Sequence, residues 1–371
     1  MLALLTYRTH CAGPLIWQGR RSTVRIAILS TPHVPTPPNG YGASELIAGL
    51  LADGLTRRGH YVRLFAREGS AAFASETISF REVERAETFD QRELVHVARA
   101  MERVADCDLV HNHCLAVGPA LLALGGRPTL TTLHYVHPIA RAFADQSYIA
   151  VSDHQRRSLP GINIVARVYN GIDLDAFPPG DCRGDYLLFL GRFHPNKGAD
   201  LAIEVAQRAG RPLVIAAPAP PPDQQDWFDL AIRPRLGGRI EWIGAVDDRV
   251  KVPLLQRARA TLLPIRWDEP FGLVMIESMA CGTPPIVFHR GAAPEIVVNG
   301  VTGFVVNSLD EMVRAVERVD QLDPQACREH VARNFSARRM VDSYLALYEH
   351  YLVRSRARRT KTKLGTGTPS S

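Results

Sequence analysis

From residue 25 onward the chain repeats one pattern, a short apolar run, a turn and then an amphipathic stretch, and this alternation fixes its class more firmly than any other feature. Apolar runs of strand length separated by helical periodicity argue parallel strands joined by crossover helices, an α/β fold. The first unit shows the grammar. A strand at 26–30 runs into the Pro-rich loop 31–41, a helix over 44–58 carries the apolar stripe Leu46, Ile47, Leu50, Leu51 and Leu55, Gly59 stops it, and a strand follows at 61–65. Ser44 is the expected N-cap. Further strands are expected at 109–111, 129–133, 148–151 and 164–168.

The segment Phe177 to Asp185 breaks the pattern with two prolines and two glycines and is read as a linker. A second series follows, with strands at 186–190, 213–217, 240–244, 260–265 and 285–288 and helices at 200–208 and 272–281. The expected organisation is therefore a domain over 25–176, a second over 186–335 and a closing helix at about 336–353. Two doubly wound domains face each other across a cleft, and ligands sit at the open strand ends of such sheets.

Charge narrows the partners. The chain has 44 Lys and Arg against 38 Asp and Glu, a net +6. Residues 354–371 hold six of the basic residues and residues 1–24 three, neither with an acid, so the body is left with 35 basic against 38 acidic side chains. A slightly acidic body disfavours a nucleic-acid footprint, which needs clustered cations to displace counterions. The basic end, finishing Gly-Thr-Gly-Thr-Pro-Ser-Ser, reads as a disordered tail with at most a weak peripheral contact to anionic lipid. Residues 1–24 read as an extension that is unstructured or not native: Arg20 and Arg21 fall where a signal peptide needs small residues, and Val24 is what a GTG start codon would spell. No window approaches 18 uninterrupted apolar residues. Cys11, Cys107, Cys114, Cys182, Cys281 and Cys327 contain no Cys-x-x-Cys pair, as in a reduced, cytoplasmic chain.

The chemistry concentrates in three places. In Asp268-Glu269-Pro270-Phe271-Gly272 and the helix that follows, a turn after an apolar strand aims a helix N-terminus into the cleft, and such an end binds phosphate. Glu269 and Glu277 bracket it as acceptors for sugar hydroxyls. The loop Gly191-Arg192-Phe193-His194-Pro195-Asn196-Lys197-Gly198 offers a planar guanidinium fork and a point charge, two devices for clamping a diphosphate. In the first unit, Gly40-Tyr41-Gly42-Ala43-Ser44-Glu45 brings a Gly-rich backbone to another helix start. A dinucleotide fingerprint would need a third glycine where Glu45 stands and an acid after the second strand, where Phe65-Ala66-Arg67 supplies none, so NAD binding is disfavoured. The pairs Asp106/Asp108 and Asp173/Asp175 do not make a metal centre, since cations already face the phosphate, and His111 with His113 lacks a third zinc ligand nearby.

Together these residues resemble the retaining glycosyltransferases of family 4, which have the GT-B architecture of two facing Rossmann-like domains. The likeness covers residues 25–352 and rests also on Asp108 to His113, Thr131 to His134, Val151-Ser152, Asn170 to Asp173, Gly291 to Glu295, Gly300 to Gly303 and the closing helix. It implies transfer of a hexose from a UDP- or GDP-linked sugar to a hydroxyl of a small-molecule, lipid or glycan acceptor, with no cofactor beyond the sugar nucleotide and no metal. Arg192 and Lys197 would hold the diphosphate, and the amides near Phe271, Gly272 and Leu273 the same phosphates or the sugar. Glu269 would contact the sugar hydroxyls and Glu277 the ribose. Gly40 and Gly42 would let the first-domain backbone approach the donor, and His134 would lie beside the reacting sugar. The leaving phosphate would take the acceptor's proton on the same face. Two departures stand out: Pro218 to Pro222 replaces the family's Gly-rich turn after the strand at 213–217, and Tyr41 stands between two glycines. The alternatives are a sugar-nucleotide epimerase or hydrolase on the same architecture, and a non-catalytic sugar-nucleotide-binding protein. The acceptor and the oligomeric state stay open.

Overall fold

The structure, a computed structural model, describes residues 23–365, with side chains through residue 355. The expected α/β class is borne out by two wholly parallel sheets. The first contains β1 (Arg25–Leu29), β2 (Tyr61–Phe65), β3 (Glu76–Ile78), β4 (Leu109–Asn112), β5 (Thr129–Leu133), β6 (Tyr148–Ala150) and β7 (Ile164–Arg167), in the order β3-β2-β1-β4-β5-β6-β7. The second contains β8 (Leu187–Leu190), β9 (Leu213–Ala216), β10 (Ile240–Gly244), β11 (Ala260–Leu263), β12 (Pro285–Phe288) and β13 (Phe304–Val306), in the order β10-β9-β8-β11-β12-β13. In each sheet the winding direction reverses once, between β1 and β4 and between β8 and β11. The loops leaving those four strands splay apart there and leave a crevice at the carboxyl ends.

Two strands were not expected from the sequence, β3 and β13. Each has three residues and lies at a sheet edge, too short for any periodicity to register. Central strands such as β8, with Leu187 and Leu188 fully buried, read as unbroken apolar runs because helices cover both faces.

The first helix occupies Ala43–Arg57, and its N-cap is Gly42, not Ser44. The displacement has a steric cause. At φ 151° Gly42 turns the chain against Val34 and Pro38, and a Cβ there would come within 2.9 Å and 2.8 Å of their side chains. The helix therefore starts as soon as the turn is complete, and Ser44 falls inside it. Glu45, Ile47, Ala48, Gly49, Leu51, Ala52 and Leu55 are its buried positions.

The last helix, Ala337–Gly365, crosses from the second sheet to the first and buries Met340, Val341, Tyr344, Leu345, Tyr348 and Leu352 in the core beneath β1 and β4. At roughly 1.5–3 kcal/mol per large apolar side chain, these positions tie the two sheets into one structure. The expected disordered tail from residue 354 is corrected as far as Gly365, because the helix continues that far. Arg, Lys, Ala and Leu are good helix formers, and a helix already nucleated by packing extends until a breaker stops it. Residues 366–371 and the expected extension, up to residue 22, lie outside the described residues.

The two sheets meet across the cleft. Gly40 lies against the backbone of Val246 and Asp247, where a Cβ would be 3.1 Å from the Val246 carbonyl oxygen. The Glu295 carboxylate accepts the backbone N–H of Asp153 at 2.8 Å and of His154, and the Tyr169 hydroxyl donates to it at 3.1 Å.

Candidate active site

On the second sheet's side the site is built from the loops after β8 and β11. Arg266 locks them together: its guanidinium donates to both Asp200 oxygens at 2.8 and 2.6 Å and to the Pro195 carbonyl at 2.8 Å. That brace places Lys197 Nζ 2.6 Å from Glu269 Oε2 and 5.3 Å from the centre of the Trp267 ring. Glu269 is held from behind. Gly291 packs so closely on its backbone that a Cβ would stand 2.4 Å from the Glu269 N and O atoms, and the Ala292 N–H donates to the Glu269 carbonyl at 3.0 Å. The Leu273–Ala280 helix then begins at Gly272, φ 86°, with no side-chain cap. Its first amides are left for another acceptor, and the phosphate of a ligand fits that role. The Phe271 side chain is buried against Tyr169 and Phe335 and contributes only its backbone.

Glu277, one turn into that helix, is 4% exposed and bonds Lys251 Nζ at 3.0 Å, which also reaches Asp248 at 2.8 Å. Burial pushes the Lys251 ammonium pKa down, but the charges of Glu277 and Asp248 outweigh it and the net displacement is upward.

The first sheet's side is built differently. His113 and His134, at the ends of β4 and β5, stack with centroids 5.0 Å apart and share a hydrogen bond, His113 Nδ1 to His134 Nε2, of 2.7 Å. Burial pushes both imidazoles down, His134 to about 4 and His113 well below its usual value, so at neutral pH both are uncharged. His111 is anchored deeper, with Nε2 2.8 Å from Thr132 Oγ1 and Nδ1 2.5 Å from the Tyr348 hydroxyl. A zinc site was not expected from this pair, and both His111 nitrogens are committed to the crossing helix and β5. Between the Gly-rich loop and His113 lies a cavity of about 170 Å³, whose wall includes Tyr41, Glu45, Glu93 and Tyr135.

Of the residues singled out in the sequence, the structure brings Lys197, Glu269 and the Gly272 helix start together, but pairs the lysine with the glutamate where separate partners were expected. Arg192 is exposed, bonds no carboxylate among the described residues and stands 6.0 Å from the Tyr41 ring. Tyr41 thus carries the Gly40–Gly42 loop to the donor side of the cleft. Glu277 is turned inward onto Lys251. His134 sits at the cleft end of β5, bonded to His113, which in the sequence stands out only as half of a candidate zinc pair. Lys251 and Glu93 went unrecognised, His113 was weighed only as a zinc ligand, and Glu45 only as the end of the Gly-rich loop. Lys251 reads as a solvated residue on an amphipathic stretch, and nothing in its spacing points at Glu277.

The Asp106/Asp108 pair is taken up by arginines at the start of β4, and in the other pair the Asp175 N–H donates to Asp173 Oδ1 at 3.1 Å. Asp106 bonds Arg25 at 2.5 Å and Arg63 at 2.7 Å, and Asp108 accepts the Arg25 backbone N–H at 2.9 Å. Among the described residues no group of three or more His, Cys, Asp or Glu is placed to hold a metal ion, and no helix is long and apolar enough to cross a membrane.

Comparison with known proteins agrees with this geometry. Residues 181–333 match the glycosyl transferases group 1 and residues 42–176 match Glycosyltransferase Family 4. A glycogen synthase of Mycobacterium tuberculosis is 34% identical over 184 residues, 47% of this chain and 44% of that protein. A D-inositol 3-phosphate glycosyltransferase of Mycolicibacterium smegmatis is 29% identical over 285 residues, 67% of this chain and 63% of that one. The chain thus spans about half to two thirds of the length of these relatives. The crystal structure of AviGT4, a glycosyltransferase involved in avilamycin A biosynthesis, superposes with a TM-score of 0.71 at 25% identity over 89% of this chain and 98% of that one.

Proposed function

Because the chain belongs to the group 1 glycosyltransferases, with two facing Rossmann-like domains, we propose that it transfers a hexose, with retention, from a UDP- or GDP-linked sugar to a hydroxyl of an acceptor seated on the first domain. The observation that supports this reading is the meeting, at the switch point of the second sheet, of Lys197, Glu269 and an uncapped helix start, with Arg192 exposed on the same loop as Lys197.

Breaking the bond between the sugar's anomeric carbon and the diphosphate oxygen releases negative charge on the leaving group and leaves positive charge on the sugar. Arg192, one or more of the three Lys197 N–H donors and the Gly272 helix amides receive the first, in an arrangement set before the reaction starts. Glu269 holds the sugar hydroxyls while keeping Lys197 in place, and Glu277 reaches the ribose from its seat on Lys251. The departing phosphate oxygen takes the proton of the acceptor hydroxyl as the new bond forms on the same face. His134 is a poor base, its pKa held near 4 by burial, which supports the phosphate as proton acceptor and His134 as a neutral hydrogen-bonding group beside the sugar. The cations and helix end supply the charge that this route requires, so it calls for no cofactor beyond the sugar nucleotide.

Replacing either cation tests the assignment. Arg192→Ala or Lys197→Ala is expected to lower transfer at least about tenfold, the value of one charge-assisted hydrogen bond of roughly 1.5–3 kcal/mol. Near-normal rates in both variants, measured by nucleotide release with acceptor present, would refute the phosphate assignment.

A further inference from the structure

The cavity on the first domain carries more information than its position. Its volume of about 170 Å³ holds roughly six waters at about 30 Å³ each, about the size of one sugar ring. At its wall three aromatic side chains stay exposed, Tyr41 at 69%, Phe89 at 52% and Tyr135 at 36%, and His33 stacks on Phe89 with centroids 3.5 Å apart. Exposed rings gathered around one concavity are a platform for a ligand with an apolar face, as a saturated ring presents through its C–H bonds.

The charged groups of the wall are both acids. Glu45 bonds the Thr31 hydroxyl, and Glu93 accepts the amides of Val117 at 2.7 Å and Gly118 at 3.1 Å. No lysine or arginine lines the cavity. Of the cations nearby, Arg67 pairs with Glu84 and bonds the His33 carbonyl, Arg92 bonds the Ala86 carbonyl, and Arg192 stands 6.0 Å from the Tyr41 ring on the side of the second sheet. A phosphorylated acceptor would meet two carboxylates and no cation within the wall itself. Two buried polar atoms of the wall, by contrast, await a partner, His33 Nε2 near the stacked Phe89 and His113 Nε2 near the cleft end of β4. His113 lines the cavity and is 1% exposed, its Nδ1 is bonded to His134, and its Nε2 is buried with no hydrogen bond.

We propose that this cavity binds a single uncharged, hydroxyl-bearing ring, excludes its phosphorylated counterparts, and orients one hydroxyl on His113 Nε2. This rests on the reading of the chain as a transferase with its acceptor on the first domain. It sets the acceptor class apart from the inositol phosphate for which one group of relatives is named.

Matched acceptor pairs test it on the full chain: myo-inositol against D-myo-inositol 3-phosphate, and methyl glucoside against glucose 6-phosphate. Binding is followed by saturation-transfer NMR and transfer by release of UDP or GDP. In each pair that binds, the uncharged member is expected to be preferred by at least about tenfold, as for a site that leaves a charge unpaired. Phe89→Lys, which places a cation in the wall, should narrow that preference at least about fivefold, and His113→Asn should raise the acceptor KM more than the donor KM. Equal or tighter binding of a phosphorylated member, or binding of no uncharged ring, overturns the proposal. The NMR arm decides even if no donor turns over, a result that would count against the transferase reading alone.

Discussion

The two sides of the cleft manage charge in opposite ways. On the second sheet's side acids and bases are paired before any ligand arrives, Lys197 with Glu269, Lys251 with Glu277 and Arg266 with Asp200. On the first sheet's side His113 and His134 bond each other and stay neutral, beside acids that bond a hydroxyl and backbone amides. Under the proposed function the difference follows from what each side would hold. A diphosphate needs cations that are fixed in place yet have donors to spare, and a carboxylate partner fixes a lysine without using all three of its N–H groups. An acceptor hydroxyl carries no charge and needs only directional bonds, which neutral imidazoles provide with little desolvation cost.

The largest expected effect tests whether the donor side depends on pairing. Lys251 and Glu277 keep only 14% and 6% of their side-chain surface exposed. Lys251→Ala would leave the carboxylate buried without its counter-charge, at a cost of about 3 kcal/mol. The urea midpoint of the second domain reads this directly. Combining Lys251→Met with Glu277→Leu should recover most of the loss in stability, though not in donor binding, because two apolar groups leave nothing unpaired. A single-variant cost below about 1 kcal/mol would mean that the pair acts as an exposed one.

The acceptor side should be the acid-sensitive one. Burial lowers the pKa of six histidines among the described residues, five of them in the first domain: His33, His96 and His134 to about 4, His111 to about 3, and His113 well below normal; the sixth is His330 in the second domain. Each takes up its proton in the unfolded chain near pH 6.5 but resists it when folded. Their stabilisation is therefore complete above pH 6.5 and falls as the pH drops through 4, at up to about 1.4 kcal/mol per pH unit for each group. Glu45 and Glu93, raised by burial, act with the opposite sign over the acid end of this range. Hydrogen exchange at pH 7 and pH 5 should show β1, β4 and β5 losing protection before β8, β11 and β12. Equal losses in both sheets would erase the contrast.

What the sequence disclosed divides along the same line. The α/β alternation was legible because strands buried on both faces, such as Leu187 to Leu190, are continuous apolar runs. Lys197, Glu269 and Gly272 could be read because phosphate chemistry asks for particular residue types on a turn between a strand and a helix. Lys251 and His113 could not, since each acts through a residue distant in sequence, Glu277 and His134, and neither position differs in type from an ordinary surface lysine or strand-end histidine. Ser44 misled for a local reason: the residue type suits a cap, but the packing of Gly42 on Pro38 and Val34 moved the helix start. The helix beyond residue 353 was hidden because a polar helical extension has no apolar stripe to announce it.

The smallest expected effect lies where the two sides join. Glu295 belongs to the second domain, yet its oxygens cap the N-terminus of the first domain's Asp153–Ser158 helix through the amides of Asp153 and His154, with Tyr169 donating as well. At Asp268, the residue just before Glu269, Oδ2 stands 3.7 Å from His154 Nε2, so this contact lies where the first domain meets the loop that carries Glu269. Glu295→Gln keeps the shape but removes the charge that favours a helix N-terminus, worth about 1 kcal/mol or somewhat less. If the contact fixes the angle between the neutral and the charged sides, that loss should appear as a fall in kcat/KM of about fivefold or less, with the urea midpoints of both domains nearly unmoved. A shifted first-domain midpoint with an unchanged rate would instead make Glu295 a cap for one helix, and the alignment of the two sides of the cleft would fall to the crossing helix and to the packing of Gly40 on Val246 and Asp247.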